Sequence, residues 1–330
     1  MRVFVYEYLT AVGVGRDPAD LLHPMYREGR AMRDALVEDI RRVPGWEAEV
    51  LVLAPVEDHD AQVLRIAERC DYTIVIAPEM AGRLEHICCV VRSSAGRLLG
   101  PTQEAIRLTS DKLALASYWR ERGVPTPATT DREPRGCEAF PVVWKPRDGA
   151  GSTATFLIPS ALHIPWARGQ LHDEGHTGSM ILQEFVPGRA ASVAFLCGPK
   201  GFYPLLPAFQ TLSEDGRFHY CGGTLPIPPD LARRAIRLAS RAVESVPGLM
   251  GYVGVDLVLG DATDGSRDFA IELNPRLTTS SIGIRAVADF NMAEALIRIA
   301  TGLAPPKFQW RSGGVQFEAD GRVVAIGSVS

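Results

Sequence analysis

Three short apolar runs, spaced by helix-length segments, constrain the first hundred residues more than any other feature of the chain. Residues 2–6 (RVFVY), 48–53 (AEVLVL) and 72–77 (YTIVIA) read as buried strands. Between the first two, Pro24 stands where a helix can start, and Met25, Met32, Leu36, Val37 and Ile40 recur at helical spacing. Residues 60–69 read as a short helix, and Leu84, Ile87, Cys88 and Val91 mark another after the third run. Strands alternating with helices predict a doubly wound parallel α/β sheet. The loop after the first strand holds Gly13 and Gly15 but no G-x-G-x-x-G, so dinucleotide binding is not supported.

The character changes near residue 102. Ser110 is placed to cap a helix carrying Leu113, Leu115, Ala116 and Trp119, ending near Gly123. Strand-like segments then dominate: FPVVWK, ATFLI, SMILQEFV, ASVAFL and FYPLL. A long helix over 230–246 puts Leu231, Leu238, Ala242 and Val246 on one side. GYVGVDLVLG and RDFAIELN read as two strands around a turn-rich stretch from Asp261 to Arg267. A last helix runs through Met292, Leu296 and Ile299, and the tail reads as a hairpin turning at Asp320–Gly321.

Composition closes off several function classes. With 46% hydrophobic and 22% charged residues, the chain is neither disordered nor short of core. A formal net charge of −4 leaves no field to recruit nucleic acid or anionic lipid. The longest uncharged stretch, Gly149 to Ala167, is broken by Gly151, Pro159 and Pro165, so no membrane span is expected. Glu7 interrupts the opening apolar run, so no secretory leader is expected either. Six cysteines without C-x-x-C spacing read as reduced thiols, mostly core filler, and with these points indicate a cytoplasmic protein.

Four segments carry chemistry. In Glu272-Leu273-Asn274-Pro275-Arg276, at a strand end, Glu272 and Asn274 share a face. Asp256 lies on the preceding strand, which can pair with it. Two carboxylates and an amide oxygen suit Mg²⁺, which keeps substrate phosphates in its shell. Alone, either acid reads as a solvent-facing strand position. Together, with Arg276 adjacent for phosphate, they favour a site. Lys145 ends a strand before the flexible loop Gly149-Ala150-Gly151-Ser152, whose N–H groups can face phosphate oxygens. It is no Walker A loop, and alone it would read as a plain hairpin. Lys112 stands near a helix start. The chain has 35 basic residues, and only Lys112, Lys145, Lys200 and Lys307 are lysines, so two of four occupy candidate phosphate positions. Gln183-Glu184-Phe185-Val186-Pro187-Gly188 reads as a hinge whose backbone can meet an adenine edge.

The order of these motifs resembles the ATP-grasp superfamily. S-D-K, V-V-W-K-P-x-x-G-A-G-S, Q-E-F-V-P-G, G-V-D-L-V and I-E-L-N-P-R succeed one another from about residue 106 to 285. The resemblance implies an N-terminal doubly wound α/β domain (1–105) and a two-subdomain clamp with antiparallel α+β sheets (106–186 and 187–330). By position, Lys112 and Lys145 would contact ATP phosphates, and Gly149 to Ser152 would cover them. The Gln183 side chain and the Glu184–Phe185–Val186 backbone would hold adenine. Asp256, Glu272 and Asn274 would bind Mg²⁺ (or Mn²⁺), and Arg276 would face the transferred phosphate. Many members carry an acid for the ribose hydroxyls just after the hinge. Gly188 to Ser192 has none, so the ribose contact is unassigned.

A wider set of segments is similar to the tyramine–L-glutamate ligase family: V-Y-E-Y, G-R-A-M-R-D-A-L-V-E-D and F-H-Y-C-G-G-T-L-P. That likeness implies an ATP-dependent carboxylate–amine ligase working through an acylphosphate. It would join L-glutamate to tyramine or a related amine in methanofuran-type cofactor biosynthesis. Its partners would be a small-molecule carboxylate and amine, with a homodimer common in the superfamily. The alternatives are another amide or dipeptide ligase, or a nucleotide-binding regulator without turnover.

Other features have plainer readings. His172 and His176 are metal-spaced but read as an exposed loop, given Gly175 and Gly178. Cys88 and Cys89 read as core. Arg233, Arg234, Arg237 and Arg241 read as a solvated helix face. Glu7 and Tyr8 either face a ligand crevice at the first strand's carboxyl end or cap the domain junction.

Overall fold

The computed structural model describes residues 1–13, 23–52 and 58–327, so the readings at Gly15 and Leu53 lie outside the described residues. The described residues form three sheets. The first is parallel, with strands β1 (Arg2–Glu7), β2 (Glu47–Val50), β3 (Tyr72–Ile76) and β4 (Arg97–Leu98) in the order β2-β1-β3-β4. Helices α1 (Tyr8–Ala11), α2 (Pro24–Arg41), α3 (His59–Arg69) and α4 (Arg83–Arg92) accompany it. Alternate residues of β1 serve opposite faces. Val3 and Val5 join Met32, Leu36 and Ile40 of α2, while Phe4 and Tyr6 join Val63 of α3 and Leu84 of α4. Burial on both faces explains why β1 reads as a continuous apolar run. The connections leave β1 in opposite directions, so a crevice opens at the carboxyl ends of β1 and β3.

The second sheet is antiparallel: β5 (Thr129–Thr130), β6 (Val142–Pro146), β7 (Phe156–Ile158) and β8 (Met180–Glu184), in the order β5-β8-β6-β7. Helices α5 (Gln103–Ser110) and α6 (Lys112–Glu121) precede it, and α7 (Ile164–Asp173) packs on Trp144, Phe156 and Ile158. The third sheet has eight strands: β9 (Arg189–Gly198), β10 (Gly201–Pro204), β11 (Ala208–Leu212), β12 (Tyr220–Leu225), β13 (Gly251–Leu259), β14 (Phe269–Asn274), β15 (Gly314–Glu318) and β16 (Val323–Ile326). Helix α8 (Pro229–Glu244) and α6 cover one face, with Leu238 and Trp119 against Val193 and Phe195. Helices α9 (Ser280–Val287) and α10 (Met292–Ala300) cover the other, and there α2 joins the same core through Met32. Among the described residues no helix is long and apolar enough to cross a membrane.

Several local expectations are corrected. Ser110 ends α5, and Asp111 caps α6 by accepting the N–H groups of Leu113 (3.1 Å) and Ala114 (3.0 Å). A carboxylate facing two free N–H groups is a strong cap. His172 lies in the last turn of α7 rather than a loop, and the turn at Gly175 separates it from His176. Val246 packs in the core beyond the end of α8. Cys70, Cys88 and Cys197 are buried, whereas Cys137 and Cys221 are exposed. Burial pushes the Cys88 thiol up to about 12, which keeps it inert.

The arginine face of α8 is not wholly solvated. Arg234 Nε donates to Asp268 Oδ2 at 2.9 Å, its Nη2 donates to Gly260 O at 2.8 Å, and Asp268 also accepts Gly260 N at 3.0 Å. Asp268 is only 3% exposed, so this pair pins the β13–β14 turn to α8. Removing one member strands the other in the interior. We therefore expect Arg234→Ala to cost about 3–5 kcal/mol in denaturant unfolding, against under about 1 kcal/mol for exposed Arg233→Ala.

Candidate active site

The three sheets meet around a cavity of about 510 Å³. Every residue that the sequence nominated for nucleotide, metal or phosphate lines it, and so does Glu7. The first sheet contributes its carboxyl-end crevice, the second its β6 loop and β8 hinge, and the third the inner ends of β13 and β14.

Strand register builds the acidic centre. Asp256 pairs directly with Glu272, and Gly254 with Asn274. Asp256 Oδ1 accepts Gln210 Nε2 at 2.8 Å, and its Oδ2 accepts Asn274 Nδ2 at 3.0 Å. Lys112 Nζ lies 3.6 Å from Glu272 Oε2. Burial, then the charge of Glu272, drives the Asp256 carboxyl well above its ordinary value. Burial pushes Glu272 the same way, but Lys112 and Lys145 overcome it and hold Glu272 below its ordinary value. Among the described residues no three His, Cys, Asp or Glu side chains gather as metal ligands. The oxygen donors here are two carboxylates and an amide. Such an oxygen set fits a hard dication that shares its shell with phosphate.

The lysines come from the second sheet and its helix. Lys112 opens α6, and its Nζ donates to Gly149 O at 2.9 Å. Its backbone N donates to Arg147 O at 3.0 Å, while Arg147 Nε donates to Asp111 Oδ1 at 2.8 Å. These contacts staple the start of α6 to the glycine loop. Gly151 and Ser152 are both left-handed, at φ 67° and 56°. Ser152 Oγ donates to Phe218 O at 2.7 Å, and Asp148 Oδ2 accepts Ala81 N at 3.1 Å. Lys145, on β6, is 8% exposed. Burial lowers its ammonium to about 8, against the pull of Glu272.

At the hinge, Gln183 is buried and its Nε2 donates to Thr129 Oγ1 at 2.9 Å. One of the two amide hydrogens is thus engaged within the sheet, and Gln183 lines the cavity together with Glu184, Phe185 and Val186. Phe185 stacks against Phe218, with ring centroids 6.4 Å apart, as an apolar plate. Arg276 does not face the cavity as a free cation. Its Nη2 donates to Glu79 Oε2 at 2.9 Å, and its Nε lies 2.9 Å from Glu79 Oε1.

Sequence reasoning missed Glu79, Glu28 and Gln210. Glu79 follows the third strand at the sheet's switch point, a position that could have flagged it. Glu28 is followed by Gly29, and this glycine is the signal. A Cβ at Gly29 would lie 2.4 Å from Glu7 Oε1. Glu7 caps α1 by accepting Leu9 N at 3.1 Å and Thr10 N at 2.8 Å, and burial raises its carboxyl above the ordinary value.

An ATP-grasp domain model matches residues 109–280, and a pre ATP-grasp domain model matches residues 31–106. The chain is 31% identical over 237 residues to the tyramine–L-glutamate ligase of Methanocaldococcus fervens, covering 71% of this chain and 67% of that one. It is 29% identical over 257 residues to the ligase of the same name from Methanocaldococcus jannaschii, covering 77% and 70%. A crystal structure of an ATP-grasp superfamily protein from Archaeoglobus fulgidus shares the fold, with a TM-score of 0.73 at 24% identity, covering 96% and 92%.

Gly29 lets α2 approach the Glu7 carboxylate. We expect Gly29→Ala to cost about 1–3 kcal/mol in urea unfolding through overpacking. An unchanged midpoint would show that the contact is not tight.

Proposed function

The chain belongs to the ATP-grasp family of carboxylate–amine ligases, and we propose that it joins L-glutamate to tyramine or a related aryl amine. What carries the substrate choice is the likeness to the two methanocaldococcal ligases over more than two thirds of either chain. The lining of the cavity supports the chemistry.

In this reading a carboxylate oxygen attacks the γ-phosphorus of ATP. ADP leaves, and an acylphosphate remains. The amine nitrogen then attacks the acyl carbon. The C–N bond forms, the C–O bond to phosphate breaks, and phosphate and a proton depart. The first step spreads negative charge over phosphoryl oxygens, so positioned cations do most of the work. Lys112 and Lys145 supply two of them. The backbone N–H groups of the glycine loop would face the same oxygens. Asp256, Glu272 and Asn274 would hold Mg²⁺ or Mn²⁺, which when bound neutralises phosphate charge. Arg276 orders the substrate side through Glu79 and Leu277 O, rather than by free charge. The apolar plate of Phe185 and Phe218 supports an adenine ring.

The direct test is ADP release with Mg²⁺-ATP and L-glutamate, with and without tyramine, and the product weighed by mass spectrometry. Tyramine-dependent ADP and an amide product are expected. ATP binding without either product would overturn the reading. Glu272→Gln should reduce turnover by about two orders of magnitude or more with little loss of stability; near-normal turnover would remove the metal assignment. Lys145 yields a pH signature. Its ammonium is charged below about 8 and neutral above. kcat/KM for ATP should therefore fall as pH rises through that value, and the fall should vanish in Lys145→Arg.

A further inference from the structure

Helix α2 and the carboxyl ends of β1 and β3 form a further wall of the cavity, where Met25 packs beside Gly151 of the glycine loop. This wall includes Met25 and Met32 of α2 with Ile76 and Pro78. Three carboxylates stand along it, and two are committed. Both Glu7 oxygens accept backbone N–H groups of α1. Glu79 is ion-paired with the Arg276 guanidinium, its Oε2 accepting Nη2 at 2.9 Å. Glu28 lines the cavity and accepts a hydrogen bond from Thr279 Oγ1, and among the described residues no cation forms an ion pair with it.

We propose that Glu28 receives the ammonium group of the amine substrate and takes one of its protons, freeing the lone pair that attacks the acyl carbon, while the hydrocarbon body lies against Met25 and Met32. This inference rests on the ligase reading above and adds the residue that selects the amine. A carboxylate set between apolar walls suits a monocation on an apolar stem, and thioether sulfurs pack well on aromatic rings. An amino acid's own ammonium suits it less. It brings a carboxylate alongside, and the cation at this wall, Arg276, is already held by Glu79. Burial raises the Glu28 carboxyl above its ordinary value, and an ammonium beside it would favour the charged form.

Steady-state kinetics of the full chain test this with Glu28→Gln and Glu28→Asp. A lost charge-assisted hydrogen bond should raise the tyramine KM about 10- to 100-fold in Glu28→Gln, beyond any change in the KM for ATP or L-glutamate. Glu28→Asp should fall between that variant and the parent, and it carries the test if Glu28→Gln does not fold. Hydroxylamine, uncharged at neutral pH, traps the acylphosphate as a hydroxamate. The ratio of tyramine amide to hydroxamate should fall with the rise in tyramine KM. An unchanged tyramine KM overturns the proposal. So does a KM rise for L-glutamate with an unchanged ratio, which assigns Glu28 to the amino acid. A parent enzyme that forms hydroxamate but no tyramine amide contradicts the tyramine reading alone, and the primary amine that does turn over then replaces tyramine in the Glu28 comparison.

Discussion

Two carboxylates held opposite each other in a buried place repel, and the Asp256–Glu272 pair is kept there by strand pairing. The β13–β14 register sets them face to face, and β9 fixes β13 from its other side through nine paired residues, Gly251 to Leu259. A slip by one residue would turn every side chain of the strand to the wrong face, so the core on each side protects the register. The repulsion is met in two ways. Gln210 and Asn274 donate to Asp256, and the lysines of the second sheet lean on Glu272. Neither sheet is electrostatically complete alone. The third brings two carboxylates together, and the second buries the Lys145 ammonium. Their meeting forms a charged cleft suited to a polyanion with its cation.

The first sheet is built into this arrangement. Helix α2 belongs to the same core as α10, so the crevice at the end of β1 and β3 is fixed against the third sheet. Glu79 holds Arg276, Glu28 holds Thr279, and the backbone of Ala81 holds Asp148 of the glycine loop. Each contact joins the parallel sheet to a segment that borders the cavity. The fold thus lines one cavity with the two lysines and the glycine loop together with the apolar and acidic residues of α2 and the first sheet.

Much of this was legible in the sequence, for identifiable reasons. Strands buried on both faces leave continuous apolar runs, which is why β1, β3 and β13 stand out. The candidate site was legible because its residues sit at strand ends within short motifs whose order is itself informative. What escaped notice depends on tertiary contact. Helix α9 is only eight residues long, two turns that are too short for periodicity to stand out. Arg234 looks like its neighbours Arg233 and Arg237 until the β13–β14 turn brings Asp268 to it. Arg276 looks like a free cation until Glu79 arrives from 197 residues away. Glu28 lies on a helix that periodicity finds easily, but nothing local says that its face turns toward a cavity. Ser110 and Asp111 are both acceptable caps, and the choice falls to Asp111, whose carboxylate also receives Arg147.

The central claim is that this cavity activates a carboxylate by phosphorylating it before an amine attacks. Isotope transfer addresses that directly. With L-glutamate labelled with ¹⁸O in its carboxylates, the oxygen that attacks phosphorus must leave with phosphate when the amide forms. The account predicts one ¹⁸O atom in each phosphate released during amide synthesis, read by mass spectrometry. Amide formed with unlabelled phosphate would contradict it.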